Sequence, residues 1–256
     1  MSDFEGLVAA VTGGASGLGK AIADELAARG ARVYALDLDA SAVIAPHTGI
    51  RCDIGDDDSV RDAIAAVIAD AGRLDVVVAN AGIGAQGDVE ANDDAEWARV
   101  LNVNVIGSAR TIRHAMPHLK ASPSPAVVLT SSIAAWAGLP QRVLYSATKG
   151  AISAMTLAIA ADCLPFGIRV NAVAPGTADT PPGSAACSTA PPTRTPSAPR
   201  WKPASRAAGL CSRRRSRTPS PTSRRRAPPP RTASSWPWTA ACTPSARAAD
   251  PRSKGT

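Results

Sequence analysis

A chain of 256 residues with 45% hydrophobic and 19% charged residues has the size and make-up of one α/β domain, which excludes a fibrous protein or one disordered throughout. Its net charge of +7 is a sum of opposites: residues 182–256 hold 13 Arg and 2 Lys against the single acid Asp250, whereas residues 1–181 hold 13 basic and 20 acidic residues. No apolar run reads as a membrane span, Met1-Ser2-Asp3-Phe4-Glu5 does not open a signal peptide, and the five cysteines (Cys52, Cys163, Cys187, Cys211, Cys242) lack CxxC or metal-ligand spacing, so a reduced, cytoplasmic, metal-free chain is expected.

In chain order, Leu7–Thr12 is a short apolar run that closes on Gly13, Gly14, Gly17 and Gly19, which predicts a strand and a tight turn. A helical pattern through Ile22, Leu26 and Ala27 follows and stops at Gly30. Arg32–Leu36 predicts a second strand and Ile50–Ile54 a third, after which Asp58 or Ser59 is the expected cap of a helix through Val60, Ile64, Val67 and Ile68. Asp75–Ala79 predicts a buried fourth strand. Asp93 and Glu96 have the spacing of a capping box at the head of a long helix carrying Trp97, Val100, Leu101 and Val105. Ala126–Thr130, Tyr145–Cys163 and Ile168–Ala174 add a fifth strand, a helix and a sixth strand. Strands alternating with helices of this length need right-handed crossovers, so the predicted fold class is α/β, a doubly wound, mostly parallel sheet.

The turn Thr12–Gly19 lies between a strand and a helix, where Gly13 permits a tight turn, Gly17 lets backbone approach a pyrophosphate and Gly19 lets helix approach strand. Gly13, Ser16, Gly17, Leu18 and Gly19 are the candidate phosphate contacts. Asp37 ends the next strand 24 residues after Gly13, where a carboxylate holds the adenosine ribose hydroxyls and repels a 2′-phosphate; neither the turn nor Leu38 supplies a base to bind one. The expected cofactor is NAD rather than NADP. A solvated loop acid is the plain alternative for Asp37, and the glycine turn upstream weighs against it.

Tyr145 and Lys149 stand one helical turn apart and share a face. A phenol titrating near 10 is a poor base at neutral pH, and a nearby ammonium stabilises the phenolate, which suits Tyr145 to acid–base work on an alcohol–carbonyl pair. Such pairs also arise by chance on amphipathic helices. Two features sharpen this one: Tyr145 is one of two tyrosines, and its helix follows a strand that ends in Thr130-Ser131-Ser132, 13 residues earlier, at the sheet edge where open α/β folds bind ligands.

Taken in order, these motifs resemble the short-chain dehydrogenases/reductases of the classical type over residues 5–181. The resemblance implies that Thr12–Gly19 binds the cofactor, that Asp53 and Ile54 contact adenine, that Asn80-Ala81-Gly82 forms the structural motif after the fourth strand, and that Pro175, Gly176 and Thr180 follow the sixth strand beside the carboxamide. It further implies that Ser132 holds the substrate oxygen, Tyr145 transfers its proton, Lys149 binds the nicotinamide ribose and lowers the tyrosine pKa, and Asn104 fixes a water in a proton relay. Ala79 departs from the family's usual asparagine, a change expected to loosen the strand end and spare catalysis. The implied activity is hydride transfer between NAD and a small molecule, interconverting a secondary alcohol and a ketone, in a family with many homo-oligomers. Singly, Asn104 reads as an inward polar group, Ser132 as a strand-end hydroxyl and Thr180 as a turn residue; the ordered set carries the assignment.

The substrate is the least legible part. Arg142, three residues before Tyr145, sits at the mouth of the expected site and can clamp a carboxylate through two parallel hydrogen bonds. Gly138–Arg142 and Pro175–Pro181 resemble family members that act on hydroxy acids, including sugar-derived acids and 3-hydroxybutyrate. An arginine facing solvent or paired with a loop acid is the plain alternative, which leaves steroids, simple polyols and acyl thioesters open.

The last 75 residues contain no Val, Ile, Phe, Tyr or Met, one Leu (Leu210) and 14 of the 22 prolines, too little apolar surface to offset the entropy of ordering them. The family's seventh strand and its valine-aspartate-glycine-glycine signature are not legible there. Ser235–Cys242, written TCN TGG CCN TGG ACN GCN GCN TGY and read from each third base, can encode leucine-alanine-valine-aspartate-glycine-glycine-methionine. The same offset turns Pro182–Ser188 into a possible tryptophan-valine-glycine-arginine-leucine-leucine and Thr218–Ser223 into a possible alanine-isoleucine-alanine-tyrosine-leucine. One extra base near the Pro181 and Pro182 codons accounts for all three, giving an NAD-binding domain over residues 1–181 without its last strand and a disordered, out-of-frame tail over 182–256. Two other readings compete. Arg213-Arg214-Arg215 and Arg224-Arg225-Arg226 are able to contact nucleic-acid phosphates, but a GC-rich gene read out of frame yields the same residues, so no specific nucleic-acid partner is expected. The other is a catalytically silent remnant that still binds cofactor.

Overall fold

Val8–Thr12, the first strand (β1), is buried at all five positions, as a strand covered on both faces must be. It pairs in parallel with β2 (Arg32–Asp37) on one side and β4 (Val76–Ala79) on the other. With β3 (Thr48–Arg51), β5 (Ala126–Thr130) and β6 (Arg169–Val173) the sheet runs β3-β2-β1-β4-β5-β6, every pair parallel. The chain winds outward to β3, returns to the far side of β1 at β4 and continues to β6, so the winding reverses between β1 and β4. This is the doubly wound sheet expected, seen in a computed structural model that describes residues 3–176.

Helices cover both faces. On one, Ala23 and Leu26 of α1 (Gly17–Ala28) meet Ala9, Val11, Val33, Val76 and Val78. On the other, α2 (Asp57–Ala71), α4 (Gly107–Ala121) and Ile152 of α5 (Val143–Cys163) close over Ala10, Leu36, Val77, Val127 and Leu129. Below the sheet, opposite the site, Asp75 is fully buried and accepts hydrogen bonds from Val8 N (2.9 Å), Arg73 Nε (2.8 Å) and Ser122 Oγ (2.5 Å). Burial alone would raise its pKa, and these donors with the Arg73 charge hold it below the ordinary carboxylate value.

Several boundaries differ from the sequence reading. The third strand pairs Thr48–Arg51 with Tyr34–Asp37, two residues earlier than its apolar run, which leaves Cys52, Asp53 and Ile54 in the loop beyond it. Asp56 caps α2 by accepting Ser59 N at 3.2 Å, in place of Asp58 or Ser59; Ser59 Oγ instead accepts Asp53 N at 2.9 Å. The long helix after Asp93 divides into α3 (Asp94–Leu101), a π turn (Asn102–Ile106) and α4. Asp93 does cap α3 through Glu96 N at 2.8 Å, while the Glu96 carboxylate turns to Asn92 Nδ2 at 2.9 Å rather than back to Asp93. Val143–Phe166 reaches the length and mean hydropathy (1.3) of a membrane span, which the sequence reading missed. It lies along β6 and turns Leu144, Thr148, Ile152 and Cys163 into the fold, while only 28% of its apolar window is buried and Leu157, Leu164 and Phe166 stay exposed. Thr180, the tail and the region of the expected seventh strand lie outside the described residues.

Candidate active site

The carboxyl ends of the strands open onto a cleft of about 700 Å³ that runs from the glycine turn to Arg142. Every predicted cofactor and substrate residue within 3–176 lines it, and only Asn104, among the predicted catalytic residues, stands behind its wall. Gly13 and Gly17 lie in the left-handed region, at φ +68° and +53°. A Cβ on Gly19 would fall 2.0 Å from the Gly13 carbonyl oxygen and 2.7 Å from Asn80 Nδ2, so only glycine lets α1 begin this close to β1. Ser16 leads into α1 without a side-chain cap bond, and no acid occupies the first turn. The N–H groups and positive dipole end of α1 are thereby left for an anion.

At one end of the cleft Asp37 is fixed by two backbone groups: its Oδ2 accepts Ala15 N at 3.0 Å and its Oδ1 accepts Asp39 N at 3.3 Å. Leu36, Leu38, Cys52, Asp53 and Ile54 form the wall around it. Burial, then the charges of Asp53 and Asp37, push the Cys52 thiol up to about 11, so this wall presents a neutral sulfur. Among the described residues, the cations that line the cleft are Arg142 and Lys149. Lys149 hydrogen-bonds the end of β5, three strand intervals from β2, roughly 14 Å away at ordinary sheet spacing.

At the centre, Asn80 binds three strand ends together. Its N–H donates to Thr12 Oγ1 (2.9 Å), its Nδ2 to Thr12 O (3.1 Å), and its Oδ1 accepts Thr130 Oγ1 (3.2 Å). Beside the buried Ala79 the end of β4 is therefore tied rather than loosened, because Asn80 supplies the bonds.

Lys149 is 6% exposed, donates from Nζ to Thr130 O at 2.7 Å and lies 5.7 Å from the Tyr145 ring centroid. Burial pulls its pKa down to about 8. Ser132 Oγ accepts Ala134 N at 3.1 Å, which leaves its hydroxyl hydrogen without an acceptor among the described residues. Asn104, in the π turn, accepts Ile83 N at Oδ1 (2.8 Å) and donates from Nδ2 to Ile83 O (2.9 Å) and Thr148 Oγ1 (3.1 Å). Its amide thus braces the loop after β4 against α5, one residue before Lys149, instead of facing the cleft.

Arg142 donates from Nη1 to Ala85 O at 3.1 Å and forms no ion pair with a described residue. Its backbone is stapled to the opposite loop by Gly87 N to Gln141 O (3.0 Å) and Val143 N to Gly87 O (3.3 Å). Gln141 is held at φ +58°, a conformation that costs a non-glycine residue about 1 kcal/mol and persists where surrounding contacts impose it. Sequence reasoning missed Glu96, Ile83, Ala85, Ile133 and Leu139, which also line this end. Glu96 had already been accounted for as a helix-capping residue, and the others carry no signal short of the fold itself.

A family model for short chain dehydrogenases matches residues 7–189. The cis-4-hydroxycyclohexanecarboxylate dehydrogenase of Sinomonas cyclohexanicum is 41% identical over 188 residues, which cover 70% of this chain and 76% of that protein. The 2-(R)-hydroxypropyl-CoM dehydrogenase of Xanthobacter autotrophicus is 37% identical, with 68% and 75% covered. Among solved structures, the 3-ketoacyl-(acyl-carrier-protein) reductase from Brucella melitensis complexed with NADH aligns with a TM-score of 0.68 at 31% identity, covering 70% of this chain and 79% of that one.

Proposed function

The chain belongs to the short-chain dehydrogenase family, and on that premise we propose that it is an NAD-dependent enzyme interconverting the secondary alcohol of a hydroxy acid and the corresponding ketone. As an oxidoreductase on CH–OH groups it uses a nicotinamide cofactor and small-molecule substrates. The observation that carries the reading is one cleft holding the glycine turn, Asp37, Ser132, Tyr145 and Lys149.

Gly13, Ser16, Gly17, Leu18 and Gly19 would cradle the pyrophosphate on the head of α1, Asp37 the adenosine ribose, Asp53 and Ile54 the adenine. Asn80, Ala81, Gly82, Pro175 and Gly176 would line the nicotinamide side. A 2′-phosphate beside Asp37 would meet a carboxylate, and among the described residues no basic side chain lines that end of the cleft, which favours NAD. When bound, the nicotinamide takes up the hydride from the carbinol carbon. Ser132 donates its hydroxyl hydrogen to the substrate oxygen and holds it beside Tyr145. Tyr145, as phenolate, removes the alcohol proton, and the Lys149 ammonium stabilises that phenolate. Asn104 keeps α5 in register with the loop after β4 through its amide; the family implies a water-fixing role for it as well. Arg142 would receive the substrate carboxylate, a group that the Sinomonas relative's name includes.

Residues 1–181 are read as the catalytic domain and 182–256 as translation in a displaced frame. In support, the family match ends at residue 189, eight residues past the proposed boundary and short of most of the tail, and only Val170 of the five β6 residues is buried. The buried free thiols Cys52 and Cys163 accord with a reducing, cytoplasmic setting. Resequencing the gene across the Pro181 codon tests the frame, and a reading frame identical to that of close relatives would refute it.

Tyr145→Phe tests the chemistry, since it removes the transferable proton and little volume. Turnover should fall at least about a thousandfold (roughly 4 kcal/mol) while the NADH dissociation constant stays within about threefold. A variant that keeps its rate overturns the assignment. NADH binding by the unaltered chain with no turnover on any hydroxy acid would assign it to the silent, cofactor-binding class.

A further inference from the structure

Proton and hydride transfer make no use of three side chains at the substrate end of the cleft: Glu96, Ile133 and Leu139. Arg142 is anchored on the Ala85 carbonyl (3.1 Å), and Glu96 Oε2 on Asn92 Nδ2 (2.9 Å), the amide that also donates to Gln86 O (3.1 Å). A cation and an anion are therefore pinned at successive residues of one loop, both lining the cleft, without forming an ion pair with each other. Ile133 and Leu139 line the same cleft and stay 47% and 41% exposed. These are large apolar groups left uncovered where a ligand would lie.

We propose that this end selects a hydroxy acid with one carboxylate and an apolar carbon skeleton. Arg142 takes the carboxylate, Ile133 and Leu139 cover the skeleton, and Glu96 excludes a second anionic group. The proposal rests on the hydroxy-acid reading above and narrows it. A substrate rich in hydroxyls would lose water at each of them and find no partner on the Ile133–Ala134–Leu139 wall, an unfavourable exchange for every unpaired hydroxyl. An apolar skeleton would gain by covering the same wall. A second carboxylate near Arg142 would enter the field of Glu96, which Asn92 fixes at Oε2 and which the exposed Arg99, 3.8 Å from Oε1, offsets only in part through solvent, so Glu96 cannot swing away without breaking the Asn92 bond. Ser132 and Tyr145 lie on the β5–α5 side of the cleft, so the reacting carbinol enters beside these apolar groups.

The test measures binding by calorimetry to the full chain saturated with NADH, using cyclohexanecarboxylate, its uncharged carboxamide, gluconate and cyclohexane-1,4-dicarboxylate. Cyclohexanecarboxylate should bind at least tenfold more tightly than gluconate and than the dicarboxylate. Glu96→Gln should narrow the gap between mono- and dicarboxylate at least fivefold, with the acid-to-amide ratio unmoved. Leu139→Asn should narrow the gap to gluconate instead. Gluconate or the dicarboxylate binding as tightly as the monoacid overturns the proposal, as does a Glu96→Gln ratio equal to that of the unaltered chain. A carboxamide that binds as well as the acid overturns the carboxylate reading beneath it. No binding by any probe to the NADH-saturated chain overturns both.

Discussion

The two ends of the cleft are built from different materials. At the Asp37 end the frame is regular backbone, a glycine turn, the head of α1 and the tips of adjacent parallel strands, on which Leu36, Cys52 and Ile54 are set and Asp37 is braced on Ala15 N and Asp39 N. At the Arg142 end it is side chains and irregular loops, held by a cross-loop staple at Gly87 and a strained Gln141. Backbone walls follow from the fold and suit a ligand with one fixed shape. Side-chain walls can change without disturbing the sheet, so specificity resides there.

Breaking the cofactor end should have the largest effect. In Gly19→Ala the new methyl meets a backbone carbonyl, which cannot step aside as a flexible side chain would. NADH affinity should fall more than about a thousandfold, roughly 4 kcal/mol, in a fluorescence titration. Gly150→Ala on α5 is the control, since nothing lies within 4 Å of its Cβ and a helix interior prefers alanine. It should leave NADH affinity unchanged and raise unfolding free energy by up to about 1 kcal/mol.

Asp75 lies on the opposite side of the sheet and separates stability from function. Asp75→Ala orphans the buried Val8 N–H and takes the partner from Arg73, whose part-exposed guanidinium water still solvates, and should lower the urea-unfolding free energy by about 2 kcal/mol. The folded fraction should still bind NADH with unaltered affinity. A loss of affinity in the folded protein would show that the two sides of the sheet are not independent.

A smaller effect sharpens the account of the catalytic centre. Burial lowers the Lys149 pKa to about 8, below its value in the unfolded chain near 10.4. Below pH 8 both states hold the proton and the burial cost is present in full. Above pH 8 the folded state sheds the proton first, so the unfolded state binds more protons and stability rises with pH. Between pH 8 and 9.5 the gain should be about 1.5 kcal/mol, and Lys149→Met should abolish it. A slope that survives the substitution would assign the titration to another group.

How much of this was legible in the sequence follows the same division. Gly13–Gly19, Asp37 and the Tyr145–Lys149 pair stand out because each acts within its own strand, turn or helical face, and local periodicity reports such features. The third strand slid by two residues because its register is decided by pairing with Tyr34–Asp37, which an apolar run does not encode. Three consecutive acids, Asp56, Asp57 and Asp58, offered rival caps, and only backbone geometry selects Asp56. The π turn leaves the apolar pattern unbroken, so the long helix read as continuous. Asn104 was found through family resemblance, yet its partners Ile83 and Thr148 stand 21 and 44 positions away, out of reach of local patterning. Glu96 illustrates the hardest case, in which an expected capping role, which its carboxylate does not take, hid a cleft-lining one.

The central claim, a cleft shaped for NAD by Asp37 and the glycine turn, is tested most directly by titrating the full chain with NADH and with NADPH and following reduced-nicotinamide fluorescence. NADH should bind saturably and at least about tenfold more tightly than NADPH, a gap of roughly 1.4 kcal/mol, and Asp37→Ser should close most of it. NADPH binding as tight as NADH, or no saturable binding of either, would contradict the account.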